Sequence, residues 1–331
     1  VSAARPQAFA VRGVTKRYDL TEAIREVSFT VAPGTVAALV GPEDAGKTTV
    51  VGVLLGLLEP TAGAVEAGGF DVRNRPDYAP VVGGVLDPRG LHPGRTIRDH
   101  LRIYAAAAGL PDRRVREVLE QTGLTDFAGT KPDGLSPGRQ LRAAIATALL
   151  PNPQLLVLDD PTLELDSVEH AWLTDFLRGY SGRGGSVLVT GRSLAAVLPF
   201  TDSIVVLSEG SVVYQGSPAR LRRNNPDRLV VATSSAIALA TALAVAGYTD
   251  AVIRQDGRLA VAEANQDQIL AIAGAAGVRI DSIVADPIHP DRVLASLTAA
   301  SRQRPVVTGT AAPPHPARPP QPSPMPYGIP R

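Results

Sequence analysis

Cysteine is missing from all 331 residues, which excludes a disulfide framework and a thiolate metal site and fits a reducing compartment. Lysine is almost as scarce. Lys16, Lys47 and Lys131 are the only three, and every other strong base is Arg. An excess of one charge is lacking too: 33 basic against 32 acidic residues leave +1 at pH 7, which gives no electrostatic case for a nucleic-acid partner. One uncharged stretch, Leu229 to Thr249, has the length of a membrane span. It consists largely of Ala, Thr, Ser and Gly, which gain little in lipid. It is better read as a strand (229–233) followed by an Ala-rich helix that Ser234 or Ser235 caps and Gly247 ends. No charged-apolar-cleavage pattern opens the chain, so no signal peptide is expected.

What is present is concentrated in one loop. Residues 41–49 read Gly41, Pro42, Glu43, Asp44, Ala45, Gly46, Lys47, Thr48, Thr49, between an apolar strand expected over Thr35–Val40 and an apolar helix expected over Thr49–Leu58. The spacing of Gly41, Gly46, Lys47 and Thr48 lets backbone N–H groups converge on phosphate oxygens at a helix N-terminus. Lys47 then supplies a point charge to the outer phosphates, and Thr48 offers a hydroxyl to Mg2+. One of only three lysines falls where that chemistry needs it. Asp44 stands where related phosphate-binding loops usually carry a Gly that accepts unusual backbone angles. Asp tolerates left-handed angles better than most residues, and its charge is expected to point away from phosphate.

With 44% hydrophobic residues the chain can bury more than one core. Short apolar runs separated by turns fill residues 8–40, and helical patterns follow over Ile97–Ala108 and Arg113–Gln121. Leu155–Leu158 is an unbroken apolar run, as suits a parallel strand buried on both faces, and Ser186–Thr190 and Ser203–Leu207 make two more strands. From residue 227 the pattern changes. Strand Arg228–Thr233, helix Ser235–Ala246, strands Ala251–Arg254 and Leu259–Ala262, helix Gln266–Ala275 and strand Val278–Val284 give the order βαββαβ. No cluster of His, Asp or Glu there suggests chemistry, so a packing or dimerisation unit is expected. From Ser301 onward ten of the chain's 29 prolines fall in 31 residues, which predicts an extended, disordered tail.

Leu155 to Asp166 reads Leu-Leu-Val-Leu-Asp-Asp-Pro-Thr-Leu-Glu-Leu-Asp, and Leu135-Ser136-Pro137-Gly138-Arg139 lies twenty residues upstream. Together with the phosphate loop, these segments resemble, in order and spacing, the motifs of ABC-transporter ATP-binding subunits over about Phe9–Pro218. The small βαββαβ unit that follows resembles the drug- and antibiotic-exporter branch. The resemblance implies an α/β P-loop NTPase core with an antiparallel β subdomain and a helical subdomain (1–224), a small ferredoxin-like α+β domain (225–300) and a disordered Pro-rich tail (301–331). It implies that Tyr18 stacks on adenine and that Asp159 holds Mg2+ with Thr48. It further implies that Ser136 and Gly138 of one subunit face the ATP on another. A separately encoded ABC-2-type membrane permease, a homodimer or heterodimer of ATPase subunits and a cytoplasmic place on the inner face of the membrane are the partners and location expected.

The catalytic positions depart from the pattern. Asp160 stands where the family has Glu, one methylene longer, and general-base geometry tolerates little slack. Gly191-Arg192 stands where a switch His is usual, and Arg cannot accept a proton. Arg192 can still offer fixed charge to a γ-phosphate. Asp87 takes the place of a Gln near the metal and remains a competent Mg2+ ligand. Pro137 and Arg139 alter the signature, Pro137 by removing a backbone donor. Slow ATP hydrolysis is the expectation, with a non-hydrolysing ATP-binding regulatory or structural subunit as the alternative.

Overall fold

The computed structural model describes residues 7–74, 81–262, 264–287 and 289–302. Strand β1 (Phe9–Tyr18) turns through Asp19, whose φ of 49° suits a tight hairpin, into β2 (Thr21–Val31). Across the pair Phe9 faces Val31 and Tyr18 faces Thr21. Strand β3 (Val36–Val40) follows, then the loop at 41–46, helix α1 (Lys47–Leu54) and strands β4 (Ala62–Ala67) and β5 (Phe70–Asp71). The order β2-β1-β4-β5 makes an antiparallel sheet. Helix α1 begins two residues earlier and ends four residues earlier than the expected 49–58. Gly56, at φ 69°, terminates it in the left-handed conformation, and the Leu57 and Leu58 amides turn back onto the Gly52 carbonyl at 2.9 and 3.0 Å.

A second sheet carries the site. Strand β6 (Val82–Val85) leads into helices α2 (Ile97–Ala107), α3 (Asp112–Gln121) and α4 (Pro137–Leu149). Strand β7 (Leu155–Leu158), helix α5 (Ser167–Gly182), strand β8 (Ser186–Gly191), helix α6 (Leu194–Val197) and strands β9 (Ser203–Ser208) and β10 (Ser211–Gly216) complete it. The order is β10-β9-β3-β8-β7-β6, parallel except for β10, which pairs antiparallel with β9 at the edge. Every residue of β3, β7 and β8 is buried, so apolar runs, unbroken in β3 and β7, encode them rather than alternation. One core lies between this sheet, α1 and the antiparallel sheet, around Phe9, Ile24, Leu39, Leu54 and Val157. The other lies on the opposite face, where Ile97, Leu101, Val118, Leu141 and Ile145 of the helical layer meet Leu156, Leu158 and Val189.

Helix α7 (Pro218–Asn224) leads to the second unit, made of β11 (Arg228–Thr233), α8 (Ala236–Val245), β12 (Ala251–Ile253), β13 (Leu259–Ala262), α9 (Gln266–Ala275) and β14 (Ile280–Asp286). Its strands pair antiparallel in the order β12-β13-β11-β14. Both helices cover one face, where Leu239, Leu243 and Ile269 meet Val231, Leu259 and Val261. Ser235 caps α8 through the Ala238 amide at 3.3 Å, and Asn265 and Gln268 form a reciprocal capping box on α9. Strand β14 starts two residues later than expected because Gly277, at φ 67°, still belongs to the turn that ends α9. The stretch 229–249 is strand, turn and helix as expected, and among the described residues no helix is long and apolar enough to cross a membrane.

Helix α10 (Pro290–Arg302) was not foreseen. It leaves the second unit and returns to the first, where Val293 and Leu294 join the core beside Leu194, Val197, Ile204 and Val206. The Pro-rich tail expected at 301–331 lies, from residue 303, outside the described residues.

Candidate functional site

The carboxyl ends of the parallel strands converge on a cleft of about 1100 Å³. Strand β3 delivers the loop 41–46, β6 delivers Asp87, β7 delivers Asp159 and Asp160, and β8 delivers Arg192. Side chains far apart in sequence meet because adjacent parallel strands end at the same edge of the sheet.

The loop is shaped by what its glycines allow. A Cβ on Gly41 would sit 2.2 Å from the Leu207 carbonyl oxygen, so the chain there runs against β9 with no room for a side chain. Gly46, at φ 95°, opens α1, and no side chain caps that helix. Elsewhere Thr96, Ser136, Asp166, Ser193, Ser217, Ser235 and Asn265 each cap a helix through a side-chain oxygen. At α1 the first-turn N–H groups therefore remain available to an anion, and the helix dipole favours one. Asp44 takes the left-handed φ of 59° expected of it and is exposed, although it also borders the cleft.

Lys47 is buried and donates to the carbonyls of Gly41 at 2.8 Å and Pro42 at 2.6 Å. Burial pushes the pKa of its ammonium below the ordinary lysine value, chiefly through lost hydration, with the charge of Asp160 opposing. Thr48 donates its hydroxyl to Asp159 Oδ2 at 2.8 Å. The other Asp159 oxygen accepts from the Thr190 hydroxyl, and Thr190 Oγ1 accepts in turn from the Asp160 amide at 2.8 Å. This tie between β7 and β8 orients the Asp159 carboxylate toward Thr48. A hydroxyl and a carboxylate side by side make a donor set suited to a hard divalent cation. Mg2+ takes one or two carboxylates and completes its shell with phosphate and water, a demand that the Thr48–Asp159 pair fits.

The departures from the family pattern are joined to one another. Arg192 Nε donates to Asp160 Oδ2 at 2.8 Å, and a second guanidinium nitrogen lies 3.2 Å from Glu43 Oε1. These acceptors, Asp160 first, raise the Arg192 pKa above its ordinary value. Asp160 itself sits at φ 46°, between the tie to Thr190 and the ion pair to Arg192. Asp87 borders the cleft but is turned to its own loop, where Oδ1 accepts from the Arg89 amide at 2.8 Å.

Not every expected residue is brought in. Tyr18 lies outside the cleft lining, with the Lys16 ammonium 5.2 Å above its ring. Thr21, Glu22, Ala23 and Arg25 of the same hairpin line the cleft instead. Ser136 and Gly138 are also outside it, while Pro137 between them borders it. Ser136 caps α4 by accepting from the Arg139 amide at 3.4 Å, and Pro137 occupies the first turn, where a missing N–H costs the helix nothing. A Cβ on Gly138 would come within 2.2 Å of Glu169 Cγ, so this glycine is required by packing. Sequence reasoning missed Thr190, and it placed Glu43 in the phosphate loop without its pairing to Arg192. The signal for Thr190 is a polar residue directly after the apolar run Val187–Val189 of β8, and nothing in the loop sequence marks the partner of Glu43.

The match of known families agrees with this geometry. The ABC transporter family matches residues 24–163. The daunorubicin resistance ATP-binding protein DrrA3 of Streptomyces coeruleorubidus is 31% identical over 308 residues, covering 89% of this chain and 97% of that protein. An Fe(3+) ions import ATP-binding protein of Brucella abortus is 34% identical over 67% of this chain, which spans only 64% of that relative's length. Among solved structures, an ATP-binding subunit of an ABC transporter is 28% identical with a TM-score of 0.59, covering 66% of this chain and 92% of that one. A dimeric ATP-binding cassette in a post-hydrolysis state with ADP and Pi is 25% identical with a TM-score of 0.57, covering 63% and 98%.

Proposed function

This chain belongs to the ABC transporter ATP-binding family, and on that premise we propose that it is the ATP-binding subunit of an exporter, hydrolysing MgATP slowly at a dimer interface. Binding is carried by one observation: the uncapped N-terminus of α1 and the Lys47 ammonium face the same cleft as the Thr48–Asp159 pair. In this assignment Gly41 to Thr49 hold the phosphates and Thr48, Asp159 and Asp87 hold Mg2+. Tyr18 stacks on adenine after moving toward the cleft from its place beside Lys16. Mg2+, when bound, neutralises phosphate charge. Asp160 is the base position, shortened and occupied by Arg192, and Arg192 contacts the outer phosphate once it leaves Asp160. Ser136 and Gly138 serve the partner subunit's nucleotide.

Export is favoured over import by the extent of similarity. The drug-resistance relative matches through the second unit, whereas the iron-import relative matches 67% of the chain. We take residues 1–224 with α10 as the ATPase unit and 225–287 as a ferredoxin-like unit, supported by the sheet order β12-β13-β11-β14 and its antiparallel pairing. A separately encoded ABC-2-type permease, against which the subunit sits at the cytoplasmic face of the membrane, completes the assembly.

The test is ATP turnover of the purified protein against Lys47→Ala. Equal rates in the two would remove the enzyme assignment. The Arg192–Asp160 ion pair favours one other assignment, a regulatory subunit that binds ATP without cleaving it. Tight ATP binding with turnover unchanged by Asp160→Ala would establish that instead.

A further inference from the structure

Helix α10 reaches the site from the far side of the chain. Its apolar face settles on β9 and α6, and Asp291 in its first turn points at the segment just after β8. Asp291 Oδ1 accepts from the Leu194 amide at 2.7 Å and the Ala195 amide at 3.4 Å, and Oδ2 accepts from the Ser193 hydroxyl at 2.9 Å. Ser193 Oγ accepts in turn from the Ala196 amide at 3.2 Å. On the other side of Arg192, the Gly191 carbonyl accepts from the Gly41 amide at 3.2 Å. Arg192 is therefore suspended between two fixed points, the phosphate loop before it and Asp291 after it.

We propose that Asp291 is a positioning residue that sets the backbone from which Arg192 reaches the outer-phosphate end of the cleft. Three bonds to one carboxylate hold Ser193 and Leu194 more firmly than an exposed turn holds itself, because hydrogen bonds to a charged acceptor are shorter and stronger than neutral ones. The planar guanidinium must meet its acceptors in a fixed fork geometry, so a shift of the backbone that carries it has to be taken up by strained or less populated side-chain rotamers. Helix α10 directly follows β14 in the chain, so the second unit is tethered to this contact. A cap that only stabilised α6 would leave recognition of the terminal phosphate untouched.

The inference rests on the proposed contact of Arg192 with the outer phosphate, and the experiment separates the two. Dissociation constants for MgATP and MgADP are measured by calorimetry on the full chain, on Arg192→Ala, on Asp291→Ala, on Asp291→Asn and on the double alanine variant. Arg192→Ala and Asp291→Ala are each expected to lower the ATP-over-ADP preference by about threefold or more, with ADP affinity held within about twofold. Asp291→Asn, which keeps an acceptor for the Leu194 amide, restores at least half of the loss. The double variant loses no more than Arg192→Ala alone. Native preference in Asp291→Ala beside a reduced one in Arg192→Ala overturns the positioning role and leaves Arg192 in place. Native preference in Arg192→Ala overturns both. If Asp291→Ala does not fold, Ser193→Ala is measured in its place: a smaller loss of preference supports the role, and an unchanged one overturns it.

Discussion

Replacing Asp160 by Glu tests whether the reach of one carboxylate limits turnover. The added methylene extends the side chain by about 1.5 Å, one carbon–carbon bond. A displacement of about 1 Å at a reacting group can cost on the order of a hundredfold in rate, so restoring it should return on the order of ten- to a hundredfold, or about 1.4–2.7 kcal/mol of barrier. Two opposing costs are small. The Asp160–Arg192 pair is half exposed on the Arg side, with 47% of that side chain accessible, so giving it up costs about 0–1 kcal/mol of stability. Position 160 has φ 46°, which penalises most residues by about 1–2 kcal/mol, yet Glu26, Glu164 and Glu209 adopt φ of 47°, 60° and 47° in this same chain. The assay is steady-state phosphate release at saturating MgATP, with Lys47→Ala as the blank and Asp160→Asn as a control for side-chain size without a base. A folded, ATP-binding Asp160→Glu protein whose turnover stays within about twofold of the parent would refute the idea that carboxylate reach is limiting. Arg192, which fills the position of a proton-accepting His, would then be the residue to replace.

Lys47, whose pKa burial has lowered, loses its charge before surface lysines as pH rises, so ATP affinity should fall first through that lowered pKa. Bound phosphate favours the charged form, and calorimetry in buffers of different ionisation enthalpy should detect proton uptake on ATP binding at alkaline pH. Gly138→Ala forces a Cβ against Glu169, which is itself held by Arg142 at 2.7 Å. Overpacking of this kind should destabilise by about 1–3 kcal/mol and lower Tm by several degrees in a thermal melt. His100 is buried, its Nδ1 has no partner among the described residues and its pKa lies below the ordinary value, mainly from lost hydration. The unfolded chain then takes up the proton first, so stability falls as pH drops below about 6.5, and His100→Leu should flatten denaturant midpoints measured between about pH 7 and 5.

Local chemistry in the sequence determined the elements around the loop and the loop itself. An apolar run such as Leu155–Leu158 can only be satisfied by a strand buried on both faces, and the spacing Gly41–Gly46–Lys47–Thr48 dictates a backbone that cradles phosphate wherever it occurs. The βαββαβ order was likewise legible, because Ser235, Gly247 and the turn at 255–258 punctuate it locally, whereas the capping box of Asn265 emerged only in the fold. Element ends were less so: α1 stops at Leu54 rather than Leu58 because the left-handed Gly56 just beyond it outranked continued apolar periodicity. What no local pattern carried were the long-range pairings. The sequence showed Asp160 and Arg192 as two separate substitutions, and only the alignment of β7 beside β8 joins them as one ion pair and adds Glu43. Thr190 becomes the tie to Asp159 for the same reason, and Tyr18, placed by pattern, stands beside Lys16 instead of in the cleft. The missing cysteines, scarce lysines and balanced charge bounded the chemistry. The return of α10 to the ATPase core, with Asp291 on the turn after Arg192, was decided by tertiary packing, since a helix with one apolar stripe does not record which surface will cover it.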